Sequence, residues 1–512
     1  MSSSDKPKRN TLSIKPETTG DKQATSGPAG PGRRPVRGRH QKSLPPTLAA
    51  KQAAQVVRGS TAEPAAGPDR PRRVKPGASA PQARPRSEAP GRENRPARGK
   101  GEPGGDRCPR PDAKTGPRPG PRPARKGPAP LQHTFFVPCP RGLEAELVKE
   151  IADLGGTDPI PAPGGVACKG DITLGWKINL WSRLAIRVLW RVAEGRYRDE
   201  DDLYRAAREL DWPAWFDVSR TLAVTTVGRN CPLKSLNFAS LKIKDGVCDR
   251  FRAAVDERPS VDTREPQVPL LLYLTDERFS LYIDLTGDPL NRRGYRVEAA
   301  AAPLNENLAA GLLKLAGWTP DTPLYDPMMG GGTLLLEAGL MALHIAPGLK
   351  RHFAFENLKN FEPIEWQRLR KNAEGERLEP RPLPLFGSDI DPLMVRAAGL
   401  NLKAAGLLDC VRLMEADFLE VNPPTPTGLI VSNPPYGVRL SVEDMATFYR
   451  AIGDNLKQHF PGWTAFLLSA DPEFPKLVGL SANRRTPLFN GPLECRLYEY
   501  RLVAGSNRRL RE

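Results

Sequence analysis

The sequence predicts a doubly wound α/β domain over residues 301–512, preceded by an α+β module over 131–300 and a basic tail over 1–130. Three observations predict it. From about residue 303, short apolar runs alternate with helix-length segments, the pattern of a mostly parallel sheet covered on both faces. Four of these runs end at or just before Asp326, Asp389, Asp417 and Asn433, and ligands in such sheets sit outside the carboxyl ends of the strands. Before residue 131 the chain is Arg, Pro, Gly, Ala and Ser with few large apolar residues. That composition cannot bury enough surface to offset ordering entropy, so residues 1–130 are predicted to be disordered.

Charge divides at the same place. Of the 76 Lys and Arg and 59 Asp and Glu in the chain, about 29 and about 10 fall in the tail. The net charge of +17 therefore belongs to the tail, and the remaining body is close to neutral, at about −2. A basic, extended arm favours polyanions through counterion release, so contact with RNA is expected there. The seven cysteines are scattered without a C-x-x-C pair, which signals neither a disulfide framework nor a metal site. No apolar run approaches a membrane span and the basic N-terminus has no apolar leader segment. A soluble, cytoplasmic protein with no membrane partner is expected.

The α+β module opens with the strand His133-Thr134-Phe135-Phe136-Val137, stopped by Pro138, which has no N–H for a ladder. A helix follows through Leu143-Glu144-Ala145-Glu146-Leu147-Val148, and Gly164-Gly165 turns the chain into a strand at Val166-Ala167-Cys168. Residues 174–184, with Trp176, Trp181 and Arg183, read as a helix and residues 186–192 as a strand. A helix around Leu203-Tyr204, a strand at 221–225 and a helix at 238–255 bearing Lys242 and Lys244 continue the pattern. Strands at 270–274 and 279–284 flank Thr275-Asp276-Glu277-Arg278 as a hairpin. The module closes at Gly287-Asp288-Pro289-Leu290-Asn291-Arg292-Arg293-Gly294-Tyr295-Arg296.

In the α/β domain, a helix at 307–315 precedes the strand Pro323-Leu324-Tyr325-Asp326 and the turn Pro327-Met328-Met329-Gly330-Gly331-Gly332-Thr333. The glycines permit positive φ and close approach of a bulky ligand. The turn lacks the spacing of a dinucleotide fingerprint and of a phosphate loop. Strand 385–389 ends in Asp389, placed to accept from ribose hydroxyls. A helix at 392–405 and a strand at 411–414 lead to Asp417, which can accept from an adenine amino group. Taken singly, each acid reads more readily as a surface carboxylate or helix cap than as a ligand contact. In register they describe a site for S-adenosylmethionine. Strand 429–431 runs into Ser432-Asn433-Pro434-Pro435-Tyr436-Gly437, followed by a helix at 445–459 and a strand at 465–468. The Asn433 oxygen and the Pro434 carbonyl can accept both hydrogens of an exocyclic base amine and turn its lone pair outward. Pro434 and Pro435 stiffen the backbone, and Tyr436 can stack on the base. Guanine N2 and adenine N6 both fit. His344 and His352 show no partner for general-base work.

The residues from 133 to 503 resemble the large-subunit (23S) ribosomal RNA guanine-N2-methyltransferases. The resemblance lies in Trp181-Ser182-Arg183-Leu184-Ala185, Leu241-Lys242-Ile243-Lys244-Asp245, the run from Leu285-Thr286-Gly287 to Arg296, Asp326-Pro327-Met328, Gly387-Ser388-Asp389, Ser432 through Gly437, and Asn490-Gly491-Pro492-Leu493-Glu494-Cys495. That family joins a THUMP RNA-binding domain to a class I (Rossmann-like) methyltransferase domain. The resemblance implies methylation of guanine N2 in ribosomal RNA with S-adenosylmethionine as cofactor. Asn433, Pro434, Pro435 and Tyr436 are the implied catalytic residues; Asp326, Pro327, Gly330, Gly332, Asp389 and Asp417 are the implied cofactor site, with no metal. Lys242, Lys244, Arg292, Arg293 and Arg296 are expected to touch RNA. A transfer RNA guanine-N2 enzyme, an RNA adenine-N6 enzyme and a catalytically silent assembly factor share this layout. The chain departs from the family where Met329 replaces the usual cysteine and where Asn305 stands for a lysine in Pro303-Leu304-Asn305-Glu306-Asn307. Some relatives carry a second methyltransferase module; with the sequence ending at residue 512, none is expected here.

Overall fold

The computed structural model describes residues 132–297, 304–435 and 442–504; the predicted tail over 1–130 and Tyr436 lie outside them. Strand β1 (His133–Pro138) buries Phe135 and Val137, and helix α1 (Glu144–Asp153) buries Leu147 and Ile151 on one face. Glu144 and Glu146 in its first turn suit the positive end of the helix dipole. Strands β2 (Thr157–Ala162) and β3 (Gly165–Gly170) lead to helix α2 (Ile172–Trp181), where the Asp171 carboxylate caps the Leu174 N–H. Then come β4 (Leu189–Arg196), α3 (Glu200–Glu209), α4 (Trp212–Trp215), β5 (Leu222–Gly228), α5 (Leu236–Val255), β6 (Val268–Leu274) and β7 (Arg278–Asp284). The seven strands form one sheet in the order β2-β3-β1-β4-β7-β6-β5, with β5 and β6 parallel and the other pairs antiparallel.

Several elements differ from the sequence expectation, among them the short helix α4. β2 was not foreseen: it contains Pro159 and Pro161, which a ladder tolerates at a sheet edge, and β2 is an edge strand. The helix expected over 174–184 ends at Trp181, because tertiary partners capture the next residues. Ser182 Oγ donates to Glu150 at 2.7 Å, and Arg183 Nη2 donates to the Leu340 and Ile345 carbonyls at 3.1 and 2.8 Å. The following strand begins at Leu189 instead of 186.

The second half contains α6 (Glu306–Leu315), β8 (Leu324–Asp326), α7 (Thr333–Ala342), α8 (Pro363–Gly375), β9 (Leu385–Asp389), α9 (Pro392–Ala405), β10 (Arg412–Glu415) and β11 (Leu429–Ser432). It continues with α10 (Val442–His459), β12 (Thr464–Ser469), α11 (Phe474–Leu477), β13 (Arg484–Asn490) and β14 (Leu493–Arg501). Sheet order is β10-β9-β8-β11-β12-β14-β13; β14 runs antiparallel to both neighbours and the other pairs are parallel. The order reverses between β8 and β11, which places the ligand crevice of a doubly wound sheet at their carboxyl ends.

The two halves share one core. Gly311 of α6 lies so close to α1 that an added Cβ would stand 2.3 Å from Leu143 Cδ1. Arg293 and Tyr295 meet Glu337 of α7 at 3.3 and 2.9 Å, all of them buried. No helix among the described residues is long and apolar enough to cross a membrane.

Candidate functional site

Strand β8 is three residues long and wholly buried. It delivers Asp326 to the crevice, where Ser432 Oγ, at the end of β11, donates to its Oδ1 at 2.7 Å. The Met328 N–H adds a longer bond of 3.4 Å. Burial pushes the Asp326 carboxyl up to about 7, against the opposing pull of these donors, and the Asp389 charge pushes in the same direction as burial.

The turn after β8 is built from two left-handed glycines with different jobs. Gly330 has φ +51° and Gly332 φ +77°. A Cβ on Gly332 would stand 3.0 Å from Ala398 Cβ, so this glycine lets α7 approach α9. A Cβ on Gly330 would meet nothing within 4 Å, so its face is open to a ligand. The Gly330 N–H donates to Asp389 Oδ2 at 2.9 Å, and Asn401 Nδ2 holds the Gly331 carbonyl at 3.1 Å. Asp389 Oδ1 also accepts from the Asp391 N–H at 3.1 Å. Asp417 closes a turn by accepting from the Leu419 N–H at 2.9 Å. Both carboxylates thus shape the backbone, and each oxygen keeps a second lone pair for a ligand. Met329 is buried, with its Sδ 2.6 Å from the point where a Cβ of Gly387 would stand. The larger side chain is accommodated because its neighbour has none.

Asn433 follows β11. Its Oδ1 is buried and has no hydrogen-bond partner among the described residues. An unsatisfied buried acceptor costs about 1–3 kcal/mol. Asp326, Asp389, Asp417, Asn433, Pro434, Pro435, Pro327 and Gly330 all line one cavity of about 760 Å³. The structure therefore gathers every described residue of the expected cofactor and catalytic sets except Gly332, which serves packing. Phe448, Ile390, Asn490 and Leu493 also line it and were not singled out as site residues from the sequence. Phe448 and Ile390 carry no local signal; Asn490 and Leu493 lie in a motif noted only for its resemblance. Among the described residues no group of three His, Cys, Asp or Glu could hold a metal ion. His344 sits in the turn after α7, 3.8 Å from Glu376, and His352 is exposed beside Glu356; neither lines the cavity.

The five basic residues expected on RNA divide. Lys242 pairs with Asp201 at 2.6 Å and Lys244 with Asp245 at 2.5 Å, both partly exposed on α5. Arg292 is exposed, 3.7 Å from Asp288. Arg293 is a correction: its side chain is 2% exposed and pairs with the fully buried Glu337, so it cannot reach RNA from the folded state. Arg296 is turned inward too, bonding Glu306 at 2.9 Å, the Leu304 carbonyl at 3.1 Å and Thr333 Oγ1 at 3.4 Å. Both arginines join the two halves.

Comparison with known proteins agrees with this architecture. Residues 134–189 match the RlmL ferredoxin-like domain, 197–284 the THUMP domain, and 293–499 the RMKL-like methyltransferase domain. The first two, with β4 between them, make the single β2-to-β5 sheet. A Synechocystis sp. protein named "Putative RNA methyltransferase slr0064" is 39% identical over 72% of this chain and 96% of its own length. The ribosomal RNA large subunit methyltransferase K/L of Psychromonas ingrahamii is 38% identical over 72% of this chain but 50% of its own. The chain thus spans about half the length of the K/L relatives it matches. The crystal structure of SMU.472, complexed with SAH, superposes with a TM-score of 0.68 at 29% identity, covering 73% of this chain and 99% of that one. By sequence, sheet order and domain succession, the chain belongs to the THUMP-containing class I RNA methyltransferases, in their RMKL-like branch.

Proposed function

We propose that this enzyme methylates the exocyclic N2 of a guanine in large-subunit ribosomal RNA, using S-adenosylmethionine, in the cytoplasm. The observation that carries the reading is the buried Asn433 Oδ1, unpartnered among the described residues, in the same cavity as Asp326, Asp389 and Asp417. The residues fit the cofactor: three acids at strand ends, a glycine with open space in front of it, and apolar Ile390 and Met329. Asp389 would take the ribose hydroxyls, Asp417 the adenine amine, and Asp326 the amino-acid end. Bound S-adenosylmethionine supplies a methyl group on a sulfonium, already activated toward an amine.

The work left to the protein is alignment, since a near-attack geometry alone lowers the barrier by several kcal/mol. Asn433 Oδ1 and the Pro434 carbonyl accept the two amine hydrogens, which turns the nitrogen lone pair toward the methyl carbon. Transfer of the methyl group from the sulfonium would place positive charge on the nitrogen. The two acceptors stabilise that charge, and one of the hydrogens they hold leaves to water as a proton. Phe448, with Tyr436 nearby in sequence, offers an apolar face for a base drawn out of its helix. The THUMP half supports RNA as the substrate, and the names of the K/L relatives support ribosomal RNA of the large subunit. We divide the chain as a tail over 1–130, an RNA-binding half over 131–300 and a methyltransferase domain over 301–512.

The test is transfer of labelled methyl to unmodified ribosomal and transfer RNA, followed by nucleoside analysis. N2-methylguanosine in large-subunit RNA is expected. N6-methyladenosine, or label confined to transfer RNA, refutes the assignment.

A further inference from the structure

We propose that the tip of the β13–β14 hairpin reads the target base, with Asn490 as the residue that selects guanine; this rests on the guanine-N2 reading above. Asn490 ends β13 and lines the same cavity as Asn433, with Leu493 of β14 and Phe448 of α10 as apolar neighbours. Leu493 is 43% exposed, an apolar side chain at a cavity wall that a planar base would cover.

The hairpin is held in place from the RNA-binding half. The Arg141 guanidinium lies 4.2 Å from the ring centre of Phe489, the residue before Asn490. Gly142, at φ +93°, is packed so tightly that a Cβ there would stand 2.4 Å from the Pro487 carbonyl oxygen and 2.9 Å from Leu488 Cδ2. Both residues lie in the turn between β1 and α1. Asn305 Nδ2 donates to Asn490 Oδ1 at 3.4 Å, long enough to be exchanged for a better bond. Asn305 occupies the position where the chain departs from the usual lysine.

The chemistry of the base edge then selects. With guanine N2 held by Asn433 and Pro434, the neighbouring edge atoms are an N1–H donor and the O6 acceptor. A carboxamide offers an acceptor and a donor side by side, the geometry of bidentate amide–base pairing. Adenine with N6 in the same grip presents the N1 lone pair and no adjacent donor, which leaves the amide oxygen unsatisfied. Asn490 thus discriminates between two amines that Asn433 alone treats alike.

The test uses the full-length enzyme and a ribosomal RNA fragment containing the mapped target nucleotide as guanine or as 2-aminopurine. The latter keeps the N2 amine but lacks O6 and N1–H. Wild type should prefer guanine in kcat/KM by on the order of ten- to hundredfold. In Asn490→Ala the ratio should fall toward one, with SAH affinity unchanged as evidence of an intact cofactor side. Asn490→Asp, which still accepts from N1–H but cannot donate to O6, should give a ratio between the two. A preference for guanine that persists undiminished in both variants overturns the role of Asn490 and leaves the guanine-N2 reading standing. A wild type that methylates adenine N6 overturns both.

Discussion

Replacing Arg293 by Ala tests whether this residue is structural or an RNA contact. The Arg293–Glu337 pair is 3.3 Å long, with side chains 2% and 0% exposed. Arg293 also donates to the Leu290 and Arg183 carbonyls at 2.7 and 2.6 Å. Removing it leaves Glu337 with the Tyr295 hydroxyl at 2.9 Å, the charge of the buried Arg183, and an Oε2 that has no hydrogen-bond partner among the described residues. Breaking such a buried pair from one side costs about 3–5 kcal/mol, toward the low end here because the charge of the buried Arg183 still faces Glu337. Arg292→Ala is the control: its pair with Asp288 is 3.7 Å long and its side chain 65% exposed, so a change below about 0.5 kcal/mol is expected. Urea unfolding of the ligand-free proteins reads both. Removing both partners, as Arg293→Met with Glu337→Leu, should recover much of the loss. If Arg293→Ala unfolds at the same urea concentration as Arg292→Ala and binds RNA more weakly, the buried assignment is wrong.

Asn433→Ala should lower kcat by about 10²–10³, the range for losing one group aimed at developing charge, while SAH affinity by calorimetry stays within twofold (about 0.4 kcal/mol); full turnover would remove Asn433 from the mechanism. Gly330→Ala should weaken SAH binding at least about tenfold while costing the ligand-free fold only about 1 kcal/mol, because the new Cβ meets no protein atom but enters the cavity. Unchanged affinity would place the cofactor elsewhere. Asp326 gives a pH signature: its folded carboxyl, at about 7, lies above the unfolded value of about 4. Its stabilising contribution is therefore complete below about pH 4 and lost as pH rises through about 7, at most about 4 kcal/mol. Melting of the ligand-free wild type should fall across that window relative to Asp326→Asn, and parallel curves would contradict the assigned titration. Deleting residues 1–130 should reduce RNA affinity most at low salt and flatten the salt slope; an identical slope would leave the tail without an RNA role.

How much of this was legible in the sequence depends on whether the cause was local. Asp326, Asp389 and Asp417 could be placed because each follows a short apolar run at a strand end, and the parallel sheet then brings those ends together. Strand β2 was hidden because Pro159 and Pro161 read locally as breakers, and only its edge position makes them tolerable. The end of α2 was hidden because nothing within 174–184 breaks a helix. The carbonyls that capture Arg183 belong to residues about 160 positions later. Arg292 and Arg293 look equivalent as adjacent basic residues, yet one faces solvent and the other meets a glutamate 44 residues away.

The same distinction separates the two sides of the cavity. The cofactor side is assembled by strand ends and by a turn joining consecutive elements, so its residues announce themselves in short motifs. The base side is assembled by Asn433, Phe448, Asn490 and Leu493, which come from a loop, a helix and a hairpin on β11, α10 and β13–β14. That hairpin is fixed by Arg141 and Gly142, more than 300 residues earlier. On the proposed assignment, changing the chosen base requires altering contacts dispersed along the chain, while the β8–α7 turn proposed to hold the cofactor can remain constant. A substitution at Gly142 should accordingly disturb target selection before it disturbs cofactor binding, because the atoms it displaces belong to β13 and not to the Asp326–Gly332 turn.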